Sequence, residues 1–589
     1  TTPTTSTTTS ATTPTSTSSV DGKLVLVLDA SGSMEWDDAS GSSRIEAAHS
    51  ALHSVIDSLP EDANVGFRVF GATEVGLENP ASCQDSQLLV PIGSGNKEEL
   101  RAATEQYQPF GETPIGYALE QAAADLGTEG QRSILLVSDG ESNCQPDPCE
   151  VARQLAADGI DLTINTVGMN VQGAAREHLQ CVASVTGGTY FDASDAQTLT
   201  QALDTLALRA FRPFSITGTP VQGTQDAATA PTIEVGGQYT DTIPPSDTTL
   251  HYAIPRQFEG SSIHVGLTTR TDVGNAQFMM YLSTPSGEVC GRGNAFTLSS
   301  RAAVAMLSGS LVAPGGHDQD DECITAEELI LSLESTRFTS GSEGTAFEFV
   351  VTEEPRRDLG TPPPPRAESD APRAWSLGIP ADGSGGEVVA GSSFNDPTVL
   401  EPGSYRSEIL TGETQVYAVE VDWGQQVRAQ AHVDAHPFPG PGTPILGSSL
   451  EIYSPQRGAV SDSLSRGDGE GKDAVITRDT PQLMSSAAPT VQWDFQNNIS
   501  SRDAPILPGT YYVVLSLDER DSRAASLPYT LSIEVVGEAG AGAPVYDPQP
   551  IGQASPSPEP SPTPSPEVTT TPPPAEETSP AAVPTTVPA

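Results

Sequence analysis

Apolar positions along the first third of the chain follow two alternating patterns. Residues 23–28, 65–70, 133–138 and 162–167 are short apolar runs that predict buried strands. Between them, Ile45, Ala48, Leu52, Val55, Ile56 and Leu59 share one helical face. Ile115, Ala118, Leu119, Ala122 and Leu126 do the same for a second helix, and Val151, Ala152, Leu155 and Ala156 for a third. Strands alternating with helices predict an α/β fold: a doubly wound, Rossmann-like parallel sheet covered on both faces, with right-handed crossovers. After Phe214 the helical pattern stops. Period-two alternation broken by frequent Gly and Pro turns predicts two all-β, sandwich-like domains there.

An internal match supports two copies. Residues 230–239 align without a gap to residues 396–405, so Tyr239 matches Tyr405; Ile243 then matches Ile409, and Tyr252-Ala253 matches Tyr417-Ala418 after a one-residue shift. Further on, residues 331–334 resemble 515–518, and 347–350 resemble 529–532. Low-complexity segments mark the remaining boundaries. Residues 1–20, almost all Thr, Ser, Pro and Ala, read as a flexible leader that cannot bury enough apolar surface to offset the entropy of ordering. The expected organisation is then residues 21–211 as the α/β domain, 212–355 as the first β-domain, 356–373 as a Pro-rich linker, 374–538 as the second β-domain, and 539–589 as a semi-rigid Pro/Ser/Thr stalk.

Charge narrows the partner class. Among 589 residues, 28 Lys and Arg stand against 77 Asp and Glu, a formal charge of −49. Such a surface repels phosphate backbones and anionic lipid heads, which argues against nucleic acid and membrane-surface binding. No run approaches the ~18 apolar residues of a spanning helix. The first residue is Thr1 rather than Met, which reads as a processed or trimmed product; a signal peptide before it or an anchor after it would lie outside this sequence. The low-Lys, Asp/Thr/Gly-rich composition resembles that of secreted proteins of high-GC Gram-positive (actinobacterial) bacteria. Six cysteines, Cys83, Cys144, Cys149, Cys181, Cys290 and Cys323, form an even set without Cys-x-x-Cys knuckles, so disulfides are expected rather than zinc. Topology favours Cys83–Cys144 and Cys149–Cys181, with a Cys144–Cys149 loop as the rival, and Cys290–Cys323 in the first β-domain.

Candidate chemistry gathers at one sheet edge. The first strand ends in Asp29-Ala-Ser31-Gly-Ser33, and in an open parallel sheet functional groups collect where loops leave the carboxyl ends of strands. Thr113, just ahead of the second helix, and Asp139, in Ser138-Asp139-Gly140, come to the same edge. One carboxylate and two hydroxyls on the first turn are hard oxygen donors suited to a divalent cation: Mg²⁺ first, with Mn²⁺ and Ca²⁺ as alternatives. Asp-x-Ser-x-Ser, a loop Thr and Ser-Asp-Gly together resemble the metal-ion-dependent adhesion site of von Willebrand factor A domains, over residues 21–211. The resemblance implies that Ser31, Ser33 and Thr113 contact the cation directly and that Asp29 and Asp139 often act through water. It also implies one position left open for the Asp or Glu of a protein partner. Glu35, Asp37 and Asp38 follow the motif and read as a solvated loop face.

Other candidates carry less. His49 and His53 have metal-ligand spacing but no third ligand, and read as a packed or surface pair. The chain contains no His-Glu-x-x-His, Gly-x-Ser-x-Gly or Walker loop, so no enzymatic activity is expected. Asn498-Ile499-Ser500 is a formal glycosylation sequon, meaningful only in a eukaryotic secretory pathway. Residues 405–419 resemble bacterial pre-peptidase C-terminal modules, which usually accompany catalytic domains, yet no nucleophile–base pair is evident. The expected function is a secreted or cell-surface adhesion module binding a protein partner through a divalent cation. The alternative is a scaffold or regulatory subunit of an envelope complex. Ligand identity and oligomeric state have no signature in the sequence.

Overall fold

The computed structural model describes residues 22–551 except 39–40, 129, 131, 158–161, 187, 189, 211–213, 215, 272–275, 298–304, 339–342, 361–376, 435–445, 461–472, 477–479, 493–506 and 518–525. The leader, the sequon, most of the linker and the distal tail therefore lie outside the described residues.

The N-terminal part has strands β1 (Lys23–Asp29), β2 (Asn64–Phe70), β3 (Ser86–Gly93), β4 (Arg132–Ser138), β5 (Leu162–Met169) and β6 (Tyr190–Ala193) in the order 3-2-1-4-5-6. Helices α1 (Arg44–Ser58), α2 (Lys97–Thr104), α3 (Ile115–Leu126), α4 (Pro148–Ala157), α5 (Ala174–Val185) and α6 (Ala196–Ala210) cover it. Strand β1 is central and apolar on both faces. Leu24, Leu26 and Leu28 pack towards α1, α2 and α6, while Val25 and Val27 pack towards α3, α4 and α5. All pairings are parallel except β2–β3, which is antiparallel. The expectation of an all-parallel sheet thus misses an edge strand, because β3 returns from β2 through a loop with no crossover helix.

The middle part contains β7 (Thr219–Pro220), β8 (Gln238–Thr242), β9 (Thr248–Pro255), β10 (Ser262–Thr271), β11 (Gln277–Ser283), β12 (Val289–Thr297), β13 (Ala305–Ala313), β14 (Glu328–Thr336) and β15 (Ala346–Glu354). They form one sheet, 7-8-15-10-13-12-11-14-9, whose halves meet where residues 296–297 pair with 307–308. The halves fold over each other: Phe278 on β11 lies 5.2 Å from Phe347 on β15, and Tyr252 on β9 lies 4.9 Å from Phe349 on β15. The last part contains β16 (Thr398–Val399), β17 (Gly403–Leu410), β18 (Thr414–Val421), β19 (Gln426–Val433), β20 (Leu446–Tyr453), β21 (Asp473–Ile476), β22 (Gln482–Ala487), β23 (Gly509–Leu517) and β24 (Ser526–Val536). Its two sheets, 16-18-23-20-21 and 17-24-19-22, enclose a shared core, with the Tyr417 and Tyr529 hydroxyls 2.5 Å apart across it.

The pairing schemes of the two β-parts correspond. The pairs 8–15, 15–10, 10–13, 11–14, 14–9 and 11–12 of the first recur as 17–24, 24–19, 19–22, 20–23, 23–18 and 20–21 of the second. Tyr239 sits opposite Phe349 as Tyr405 sits opposite Leu531, in register with the sequence match. The match of Leu331 with Leu515 shifts, however. Leu331 faces Tyr252, and the residue facing Tyr417 is Val513. A two-residue slip leaves every side chain on its original face, so the apolar pattern cannot detect it.

The β-parts are joined through a buried cation. Arg457 is 5% exposed, with its guanidinium 4.6 Å from the Phe394 ring and 4.8 Å from the Tyr512 ring. It lies 4.0 Å from Glu348 of the first β-part, whose carboxyl burial pushes upward in pKa; Asn395 of the second part also donates to Glu348, at 2.5 Å. The expected stalk and linker boundaries need correction here. Residues 545–551 do not run free as part of a stalk but pair with the first β-part. Glu259 N donates to Gln549 O, Ile551 N to Gln257 O and Asp358 N to Val545 O, and the Tyr546 hydroxyl donates to Glu354 at 2.9 Å. Residues 356–358, assigned to the linker, belong to the same seam. Backbone hydrogen bonds hold them, and Tyr546 also packs against the core of the second β-part.

Removing Arg457 leaves Glu348 buried without its cation. Arg457→Ala is expected to destabilise the chain by about 3–5 kcal/mol, read by chemical denaturation, whereas a change under about 1 kcal/mol would mean that the cation does not join the two β-parts.

Candidate functional site

At the carboxyl edge of the first sheet, four loops converge. Strand β1 delivers Asp29, which is fully buried, and the chain then turns through Ser31 and Ser33 into a short 3₁₀ turn, Gly32–Glu35. The Ser31 N–H donates to Asp29 Oδ1 at 2.8 Å, and Ser138, the last residue of β4, donates to Asp29 Oδ2 at 2.5 Å. The Ser31 and Ser33 hydroxyls are 3.1 Å apart, and Ser33 donates to Asp139 Oδ1 at 2.8 Å. Thr113 is held through its backbone: its N–H donates to Asn143 Oδ1 at 2.9 Å, and its carbonyl accepts from the Ser142 hydroxyl at 3.0 Å.

Close backbone approach makes this convergence possible. Gly71, at φ +69°, lets the β2 loop meet the other two: a Cβ there would lie 2.3 Å from Glu112 O and 3.1 Å from Ser31 N. Gly32 N then donates to Gly111 O, tying the Ser31 turn to the Thr113 loop. Gly140 faces two of the hydroxyls. A Cβ on it would stand 3.8 Å from Ser33 Oγ and 3.9 Å from Thr113 Oγ1, so both hydroxyls border one small cradle.

All five residues singled out in the sequence therefore meet at one edge: Asp29, Ser31, Thr113 and Asp139 buried, Ser33 half-buried. Sequence reasoning missed Ser138, Asn143 and Arg44. Arg44 opens α1, where Ser43 and Glu46 form a capping box, and its guanidinium pairs with Asp139 Oδ2. Ser138 stood in plain view as a polar terminus on a buried apolar strand. Arg44 lies 95 positions from Asp139 and carried no local signal. Of the acidic residues after the motif, Glu35 and Asp37 are exposed as expected, but Asp38 is buried and accepts from Ser42 N at 3.2 Å.

Electrostatics follow from the burial. The Asp29 carboxyl is pushed up to about 7, first by loss of hydration and then by the charge of Asp139, against the opposing bonds from Ser138 and Ser31. Two carboxylates and three hydroxyls are a hard, oxygen-only donor set, and they fit a divalent cation. Among the described residues, no three His, Cys, Asp or Glu side chains come together to hold a metal. His49 stands edge-on to Tyr107 at 5.7 Å, and His53 bonds Thr104 Oγ1 at 2.9 Å, so this pair packs as expected.

Three disulfides are present: Cys83–Cys144, Cys149–Cys181 and Cys290–Cys323, with Cα separations of 5.3, 5.6 and 5.3 Å. The favoured pairing is the one found. Cys83–Cys144 ties the β2–β3 loop to the loop carrying Asp139 and Asn143. No helix of the described residues is long and apolar enough to cross a membrane.

Residues 23–205 match the family model of the von Willebrand factor type A domain. The uncharacterised protein YwmC of Bacillus subtilis is 31% identical over 176 residues, which covers 29% of this chain and 76% of YwmC. YwmD of the same organism is 28% identical over 187 residues, covering 31% of this chain and 83% of YwmD. Among solved structures, a von Willebrand factor type A protein from Catenulispora acidiphila aligns with a TM-score of 0.28 at 14% identity, covering 57% of this chain and 60% of that one.

In a metal-free chain, Asp29 works against folding once ionised. The unfolded carboxyl loses its proton near the ordinary 3.8 while the folded one keeps it to about 7. Between those values the folded state binds more protons, so this contribution falls as pH rises and levels off above 7. In EDTA, Asp29→Asn is expected to match wild-type stability near pH 4 and to exceed it by about 2–4 kcal/mol at pH 8. Parallel pH profiles for the two chains would contradict this.

Proposed function

The chain belongs to the von Willebrand factor type A domain family, and from that premise we propose that residues 23–205 are the head of an extracellular binding protein that takes up an acidic group of a protein partner through a divalent cation. Ser31, Ser33 and Thr113 would hold the cation directly, with Asp29 and Asp139 behind them. The observation that carries this reading is the donor set: hydroxyls facing a cradle over Gly140, backed by two buried carboxylates from separate strands. A divalent cation held chiefly by neutral hydroxyls retains enough positive charge to attract a carboxylate, and Mg²⁺ suits a small all-oxygen site.

The chain's own residues supply the rest. Ser138 and the Ser31 N–H orient Asp29, Asn143 and Ser142 fix the Thr113 backbone, and the Cys83–Cys144 bridge braces the loop that carries Asp139. Three disulfides support an oxidising, extracellular setting. The two β-parts behind the head, with the leader and the Pro/Ser/Thr tail, would set its distance from a surface. Binding without catalysis is the reading we favour, since the two carboxylates beside the hydroxyls are engaged by Ser31, Ser33, Ser138 and Arg44.

Calorimetric titration of the full chain with Mg²⁺, Ca²⁺ and Mn²⁺ tests the site. Ser31→Ala and Thr113→Ala are each expected to weaken the preferred ion by about tenfold or more, and EDTA and Asp29→Ala to abolish capture of surface proteins. Metal affinity indifferent to both hydroxyls would put the ion elsewhere.

A further inference from the structure

Arg44 is the feature of this edge that the donor set does not explain. Its guanidinium reaches Asp139, whose side chain is 0% exposed while that of Arg44 is 14% exposed. Asp139 thereby accepts on both oxygens, from Ser33 on one and Arg44 on the other. The arrangement is not chosen for hydrogen bonding alone: Arg44 Nε is buried with no hydrogen-bond partner among the described residues. What it provides is charge. Two carboxylates, Asp29 and Asp139, share a buried edge, and the one guanidinium lies against Asp139.

The approach of Arg44 is fixed at its base, and its tip lies between Asp139 and the Trp36 ring. The Ser43–Glu46 capping box sets the first turn of α1, and Arg44 N donates to Trp36 O. The guanidinium stands 5.4 Å from the centre of the Trp36 ring, and Trp36 is 63% exposed. The guanidinium thus already borders that ring, within cation–π reach, while it is paired with Asp139.

We infer that Arg44 is an internal cation that occupies Asp139 in the metal-free chain and must come off it when a divalent ion enters, closing onto the Trp36 ring that it already borders. The inference rests on the metal reading of the site proposed above. A dication held by Ser31, Ser33 and Thr113 would otherwise sit beside a fixed positive charge with little water between them. Arg44 therefore lowers the affinity of the site for metal while keeping the empty site folded. Off Asp139, it stands as a second positive group beside the open position, where an incoming carboxylate can pair with it.

Mn²⁺ titration of the full chain separates the outcomes. Arg44→Gln is expected to bind Mn²⁺ about ten- to a hundredfold tighter than wild type, and Arg44→Lys, which keeps the charge, to stay within about threefold of wild type. Equal or weaker binding by Arg44→Gln overturns the inference alone. No binding by any of the chains, each folded by circular dichroism, sinks the metal reading and takes the inference with it. Wild type provides a second measurement in case Arg44→Gln does not fold. Mg²⁺ should change the tryptophan emission of the wild-type chain, and Trp36→Phe should remove that change. Constant wild-type emission while calorimetry records binding overturns the closure onto Trp36.

Discussion

The carboxyl edge of the first sheet is organised around a shortage of positive charge. Asp29 ends β1 and Asp139 directly follows the neighbouring β4; both are buried, and their mutual repulsion and lost hydration must be met locally. Hydroxyls from Ser31, Ser33 and Ser138 and the Ser31 N–H meet part of it with hydrogen bonds. Arg44 meets part of it with charge. A divalent cation would meet it more completely, and the excess positive charge would then face outward, where a partner's carboxylate could use it. Fold, site and proposed function are linked through that single imbalance.

The scaffold makes the imbalance tolerable. Strand β1 is buried on both faces, so its last residue is held by the packing of six helices rather than by a loop. Gly71 keeps the surrounding backbones close enough for several hydroxyls to border one small space. The Cys83–Cys144 bridge closes a 61-residue separation and limits how far the Asp139 loop can move from the rest. In the rest of the chain, Arg457 and Glu348 meet across the two β-parts, and the chain returns from the second to the first at residues 545–551.

What the sequence revealed and what it hid divides along physical lines. Periodicity exposed β1, β2, β4, β5 and the helices α1, α3 and α4, because each carries an uninterrupted apolar run or face. The five oxygen-bearing residues were legible because short motifs sit at strand ends. Strand β3 was not legible, since an antiparallel edge strand with half-solvated residues leaves a weak pattern. Arg44 and Arg457 escaped for a different reason. Their roles depend on partners about a hundred residues away, Asp139 and Glu348, and no local spacing encodes such a meeting. The packed strap at 545–551 was hidden because it carries no apolar periodicity: backbone pairing holds it together with the Tyr546 side chain.

The central claim is a cation between three loops, and crystals soaked in Mn²⁺ and measured at an anomalous wavelength test it most directly. The account predicts one strong anomalous peak in the cradle bordered by Ser31, Ser33 and Thr113, with Asp29 and Asp139 within reach of it directly or through water. Ordinary solvent density there, with Arg44 still on Asp139 at saturating Mn²⁺, would contradict it.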